Sequence, residues 1–211
     1  MIKVLIADDH AVVRSGLKQI LDETGGEIQV QGEAANGREV IEKVQAQDWD
    51  VLVLDITMPG RSGLDILKDI RQMQPRLPVL ILSMHAEEQF ATRVLKAGAA
   101  GYLNKESAPE ELVKAIRKVN EGGKYVSPAQ AERMVSELTG DTDKPPHQLL
   151  SDREYEILCL IASGKTATQI AQQLVLSVKT VSTYRSRILE KMRLETNAQL
   201  THYGIKNGLV R

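Results

Sequence analysis

Residues 51–65 read VLVLDITMPGRSGLD, and their interpretation decides the fold. Four aliphatic residues with no polar face between them run into a carboxylate, Asp55, and then into the turn Pro59-Gly60. A short run that is apolar on both faces is what a central strand of a parallel sheet requires, because helices cover such a sheet on both sides. A carboxylate at the end of that strand is either held by a cation or used by one.

The rest of the N-terminal half repeats the pattern. The runs KVLIADD, IQVQGEA, PVLILS and AGYLNK, with VLVLD among them, are separated by stretches of helical period, the signature of a parallel α/β sheet with covering helices. Gly98 stops one helix, Pro109 sits in the first turn of another, and Gly122-Gly123 ends it. A further helix-like piece, SPAQAERMVSEL, leads into TGDTDKPPHQ, whose Gly, Asp and paired prolines deny helix and strand; the linker is placed there, at about 139–148. The residues after the linker carry only helical periodicities and caps, which predicts a small all-α module of four helices. The expected division is an N-terminal domain over 1–122, a linker with a helical segment over 123–148, and a helical domain over 149–211.

Charge supports two halves with different partners. The whole chain is at −1, yet from Gln148 onward nine Lys/Arg stand against five Asp/Glu, a surplus of four that leaves the front acidic. Aromatics are only 3% of residues, so aliphatic packing must form both cores. The one cysteine, Cys159, allows no intrachain disulfide and reads as a buried core residue, in keeping with a reducing cytoplasm. No apolar run approaches the ~20 residues that span a bilayer, so a soluble protein without membrane contact is expected.

In an open α/β sheet, chemistry gathers outside the carboxyl ends of the strands. Those ends here bring Asp8 and Asp9, Asp55, Ser83 and Lys105 to one edge. Clustered carboxylates repel one another at low effective dielectric and need a compensating cation. Oxygen ligands favour Mg²⁺, and Lys105 adds a second positive charge. Alternatively each acid merely caps the helix after its strand, which Asp8-Asp9 before HAVVRSGL could do. Five such side chains together favour a site.

The segments ADDH, VLDITMPGRSGLDIL, LSMH and AGYLNK, in this order and spacing, resemble the receiver domain of bacterial two-component response regulators over residues 1–122. The resemblance implies a five-stranded, doubly wound, flavodoxin-like fold. It implies that Asp55 accepts a phosphoryl group from a sensor histidine kinase, and that Asp9, Asp55 and the backbone carbonyl of Thr57 bind Mg²⁺, with Asp8 assisting through water. It further implies that Ser83 hydrogen-bonds the phosphoryl group and draws the next loop inward while Tyr102, otherwise a half-buried strand aromatic, rotates toward the vacated space. Thr57 and His85 occupy positions that tune dephosphorylation. One departure is Glu106, where many receivers follow the lysine with proline. His10 and His85 read as ordinary polar residues beside helix starts rather than ligands.

In the back half, Ser151 and Glu154 form a capping box, Gly164 ends that helix, TATQIAQQL makes a short second helix, and Ser177 caps a third. Projected at 100° per residue, the third helix packs through Val181, Tyr184 and Ile188, with Val178 and Met192 beside them, and turns Lys179, Ser182, Thr183, Ser186, Arg187 and Glu190 outward. Such a helix after a short helix and tight turn is suited to a DNA major groove. The segment from Leu150 to Gly208 resembles the LuxR-type helix-turn-helix of the NarL/FixJ subfamily, with Tyr184 where histidine is usual and Gln169 where glutamate is frequent. By that resemblance Lys179, Ser182, Thr183 and Ser186 face the bases of double-stranded DNA, and Thr180, Arg185 and Arg187 contact phosphates.

The expectation is a non-enzymatic, DNA-binding transcription regulator that acts as a homodimer on half-sites about one helical turn apart. By family analogy the unphosphorylated receiver restrains the recognition helix. Three rivals fit less well. An aspartate-dependent phosphatase wants a second acid where Thr57 stands, a dinucleotide enzyme wants Gly-x-Gly-x-x-Gly where ADDH stands, and an autoinducer-binding regulator lacks the acidic set.

Overall fold

The computed structural model describes residues 1–58, 63–83, 87–127, 131–132 and 145–210, with the backbone alone at 87–90. The chain forms two compact units, Met1–Gln130 and Ala131–Arg211. Most of the expected helix in SPAQAERMVSEL, and most of the expected linker, lie outside the described residues.

The first unit alternates strand and helix: β1 (Ile2–Ala7), α1 (Ala11–Asp22), β2 (Ile28–Ala34), α2 (Gly37–Ala46), β3 (Val51–Asp55), α3 (Gly63–Met73), β4 (Val79–Ser83), α4 (Glu87–Lys96), β5 (Gly101–Asn104) and α5 (Ala108–Asn120). All strand pairs are parallel, in the order β2-β1-β3-β4-β5. Every residue of β3 and of β4 is buried, as their unbroken apolar runs demand. Val4, Ile6, Val53 and Leu82 share a core with Leu17 and Leu21 of α1 and Leu112, Ile116 and Val119 of α5. The alternate residues Leu5, Leu52, Leu54 and Ile81 are equally buried, so the sheet is covered on both faces.

The helix ends follow the sequence punctuation. Gly98 and Gly122 close α4 and α5 with φ of 103° and 85°, a backbone region open to glycine at no steric cost. Pro109 lies in the first turn of α5. Gly63 is needed for a different reason, close approach: a Cβ there would stand 2.5 Å from the Ile56 Cα and 2.8 Å from its carbonyl oxygen. Its own amide donates to that carbonyl at 3.2 Å, which fastens the chain just after Asp55.

The second unit holds a 3-10 turn, Pro146–Leu149, and helices α6 (Asp152–Ala162), α7 (Ala167–Leu174), α8 (Val178–Met192) and α9 (Asn197–Lys206). Ser151 and Glu154 form the expected capping box, Gly164 follows α6 with φ of 82°, and Ser177 accepts from the Thr180 amide at the start of α8. Cys159 is buried and in no disulfide. The turn between α7 and α8 is made by Val175 in the left-handed region, φ 52°. That conformation is strained for a β-branched residue, and it lets the Leu176 amide reach the Ala171 carbonyl at 2.8 Å. Among the described residues, no helix is long and apolar enough to cross a membrane.

The packing stripe of α8 needs one correction. Val181, Ile188 and Met192 are buried as expected, but Val178 is 46% exposed and Leu189 takes the inward place instead. Val178 and Leu189 project within about 20° of each other on the helix. Val178, however, is the first helical residue, whose side chain leans back past the end of the packed surface.

Replacing Gly63 by Ala is expected to cost the first unit about 1–3 kcal/mol, because the added methyl meets backbone that cannot rotate away. Urea unfolding followed by the fluorescence of Trp49, the only tryptophan, measures it; an unchanged midpoint would contradict the close packing described.

Candidate functional site

Two units carry two candidate sites. In the first, β1 and β3 are neighbours and the strand order reverses between them, so the crevice at their carboxyl ends is the expected place for a ligand. Asp8 follows β1, Asp55 ends β3, Ser83 ends β4, and Lys105 follows β5. The structure brings the acids and the lysine together. Lys105 Nζ donates to Asp55 Oδ2 at 2.7 Å and stands 2.7 Å from Asp8 Oδ2. The second contact is a buried ion pair, which also raises the pKa of the lysine. The other Asp55 oxygen accepts from the Thr57 amide at 2.9 Å.

Asp8 and Asp55 are each 1% exposed, and two carboxylates at that depth with one ammonium between them are an unsettled charge arrangement. Burial raises the Asp55 carboxyl above its ordinary pKa; the Lys105 charge and hydrogen bond and the Thr57 amide pull it down, and the Asp8 charge adds to the rise. Burial by itself would depress the Lys105 ammonium, but the Asp55 charge and hydrogen bond carry it above its ordinary value.

Asp9 completes the cluster from the rim. Oxygens of Asp8, Asp9 and Asp55 and a ring nitrogen of His10 all lie within 4.8 Å of one another. Asp8 Oδ2 and Asp9 Oδ1 are buried with no hydrogen-bond donor, although the His10 ring approaches Asp9 Oδ1 at 2.8 Å. Carboxylate oxygens left without donors form a hard-ligand set of the kind Mg²⁺ takes, so the pocket fits that ion. The capping alternative holds in part for Asp8: His10 is the N-cap of α1, and Asp8 Oδ1 accepts from its amide at 2.8 Å, which leaves Asp8 Oδ2 for the pocket.

Three supports were not evident from sequence. Arg14, one turn into α1, donates to the Asp8 carbonyl at 2.7 Å and to Glu33 at 3.0 Å, and so braces the backbone that carries the acids. Hydrogen bonds from Lys18 and Arg14 hold the Glu33 carboxyl below its usual pKa. The turn after β5 is closed by Asn104, whose side chain accepts from the Glu106 amide at 2.9 Å. The Lys105 amide donates to the Ser83 carbonyl at 2.9 Å, which directs the lysine inward. Glu106 is thus accommodated without proline.

Ser83 and Tyr102 are both fully buried; Tyr102 lies deeper than the half-buried position expected of it. His85 lies outside the described residues.

In the second unit α8 is held by α6 from below. Lys191 reaches the buried Glu154 carboxylate at 2.6 Å, and that carboxylate also accepts from the Ser151 amide at 2.7 Å. Arg153 donates to the last carbonyl of α7, Leu174, at 3.2 Å. The short helix, the turn and α8 are thereby locked to one scaffold. Lys179, Ser182, Thr183, Ser186 and Arg187 are exposed. Thr180 is half-buried and engages Ser177, hydroxyl to hydroxyl, at 2.8 Å. Arg185 is half-buried, with its Nε on the Asn197 side chain at 2.5 Å. Gln169 closes a capping box with Thr166, which does the local work of the more frequent glutamate.

Comparison with known proteins matches each of the two units to a family. Residues 4–117 match the model of the response regulator receiver domain, and residues 148–204 that of the bacterial regulatory proteins of the luxR family. The chain is 38% identical to the response regulator UvrY of Escherichia coli strain K12 over 210 residues, covering 99% of this chain and 96% of UvrY. It is also 38% identical to the oxygen regulatory protein NreC of Staphylococcus carnosus over 215 residues, 99% of each. Among solved structures, RcsB of Salmonella enterica serovar Typhimurium bound to promoter rprA with the phosphomimetic BeF3⁻ matches with TM-score 0.66 and 28% identity, over 96% of this chain and 98% of that one.

The charge balance of the pocket gives a direct expectation. Asp9→Asn removes one of three clustered carboxylates, the one Lys105 does not pair, and should stabilise the first unit by about 1 kcal/mol in metal-free buffer. Thermal unfolding measures it; a variant equal to or less stable than wild type would contradict the repulsion inferred.

Proposed function

The chain belongs to the response regulators, with a receiver domain and a LuxR-family DNA-binding domain, and from that premise we propose that phosphorylation of Asp55 by a sensor histidine kinase controls DNA binding through α8. The observation that carries this reading is the pocket itself, where a buried Asp55 shares Lys105 with Asp8 and Asp9 brings a third carboxylate within 4.8 Å.

Asp55 is the nucleophile. One of its oxygens forms a bond to phosphorus as the P–N bond of a phosphohistidine breaks, and the departing imidazole keeps the electron pair and takes up a proton. Lys105 stays charged at the pH of the cell, since its pKa is raised, and it offsets charge on the transferred group. Asp8, Asp9 and Asp55, with the Thr57 carbonyl, would hold Mg²⁺, which when bound neutralises charge on the phosphoryl oxygens. The Thr57 amide and the Arg14 brace fix the carboxylates, so little reorganisation is needed at the moment of transfer.

In this reading Ser83 hydrogen-bonds the new phosphoryl oxygen, and Tyr102 is the aromatic whose rearrangement passes the signal on. A bias of a few kcal/mol between two packings is enough for such a switch. In the DNA-binding unit Lys179, Ser182, Thr183 and Ser186 face the bases, and Thr180, Arg185 and Arg187 serve phosphates. The support is the position of all but the half-buried Arg185 on the outward side of α8 or at its start, together with the likeness to RcsB, which was solved on promoter DNA. So few cations give one copy modest affinity, which favours a homodimer on paired half-sites. The cytoplasm, where DNA and kinase meet, is the proposed location.

Incubation with acetyl phosphate and Mg²⁺ followed by intact-mass measurement tests the reading. One added phosphate per chain is expected, absent from Asp55→Asn; no adduct, or an adduct that persists in that variant, would contradict it.

A further inference from the structure

His10 stands at the mouth of the pocket, and its ring does not serve the helix it begins. It is the N-cap of α1, yet its side chain makes no capping hydrogen bond. Its amide is tied to Asp8 Oδ1 at 2.8 Å, which fixes the residue beside the acids. The ring, 66% exposed, comes to the rim with Nδ1 at 2.8 Å from Asp9 Oδ1 and 3.3 Å from Asp8 Oδ1. Lys105 takes the other oxygens, standing against Oδ2 of both Asp8 and Asp55 in the buried part of the pocket.

A single hydrogen on Nδ1 can serve one carboxylate well but not two. A cation among the three groups would serve both carboxylates and accept the lone pair of the ring nitrogen. The spacing suits such sharing. Ligands about 2.1 Å from one ion stand about 3.0 Å apart at neighbouring corners of an octahedron and about 3.4 Å apart in a tetrahedron. The two distances from Nδ1 lie on either side of the first value, and Asp55 completes a set whose ligand atoms are all within 4.8 Å of one another. The nitrogen also decides which ions gain. Mg²⁺ takes oxygen ligands and gives up its waters reluctantly, whereas divalent transition ions such as Co²⁺ and Zn²⁺ bind imidazole well.

From this placement we infer that His10 is a further ligand of the pocket, engaged by divalent transition ions and passed over by Mg²⁺, so that His10 widens the margin by which the pocket prefers those ions. This inference rests on the proposal that the pocket holds a divalent cation, and adds to it a ligand and a second class of ion.

The test uses the full-length chain and the metals alone. Calorimetric titrations of Mg²⁺ and Co²⁺ are compared between wild type and His10→Asn, which keeps a good N-cap residue and offers oxygen in place of the ring nitrogen. The variant should weaken Co²⁺ binding by about tenfold or more, the scale on which even outer partners of a bound metal act. It should leave Mg²⁺ affinity within about twofold, because that ion makes no use of the ring. Nuclear magnetic resonance reports the bond itself: one equivalent of Zn²⁺ should shift the ring nitrogen signal of one of the four histidines, and that shift should be missing from His10→Asn. Unchanged Co²⁺ affinity, loss of Co²⁺ and Mg²⁺ affinity by the same factor, or a ring shift that persists in the variant would overturn the inference and leave the magnesium pocket standing. Uptake of neither ion by the wild-type chain would overturn both.

Discussion

Lys105 between Asp8 and Asp55 is the interaction on which the first unit turns. Three segments distant in sequence must end at one point for that contact to exist, and the parallel run of all five strands puts the ends of β1, β3 and β5 on the same edge. The cost is considerable, because charges withdrawn from water are compensated only when their partners are complete. Here one ammonium stands among three carboxylates, Asp8, Asp9 and Asp55. A fold that maintains such a deficit of positive charge at one edge, against fully buried apolar strands beneath, forms a pocket that fits a divalent cation. The brace from Arg14 and the Ser83 to Lys105 backbone link keep the deficit in place rather than letting the acids turn to solvent.

The second unit solves a different problem, how to present one helix side rigidly. Three capping boxes start α6, α7 and α9, so each of those helices begins at a defined residue. The Glu154–Lys191 pair and the Arg153 contact then tie α6 to the elements on either side of the turn. Backbone strain at Val175 is the cost of a turn this tight without glycine. The result is an α8 held firmly on its scaffold, with Lys179, Ser182, Thr183, Ser186, Arg187 and Glu190 exposed on its outward side.

Much of this was legible because it arises from period and punctuation. The apolar runs located the strands, their last residues located the acids, Ser83 and Lys105, and Ser151 with Glu154 located the start of α6. Contacts between elements were not legible. Arg14 and Glu33 lie on α1 and β2, and no local pattern says that they meet. Asn104 closes its turn through a side chain that any loop could carry. Val175 was missed because β-branched residues are rare in the left-handed region. Val178 was misplaced because a helical projection gives angle but not distance from the helix end. Tyr102 lies deeper than expected because the depth of an aromatic on β5 depends on what the neighbouring helices leave open, which one strand cannot reveal.

Calorimetric titration of Mg²⁺ into the full-length chain tests most directly whether the edge of the sheet is a pocket lacking one cation. One ion per chain is predicted, with uptake abolished by Asp9→Asn even though that variant is folded. No heat of binding in the wild type, or equal uptake by both proteins, would contradict the account.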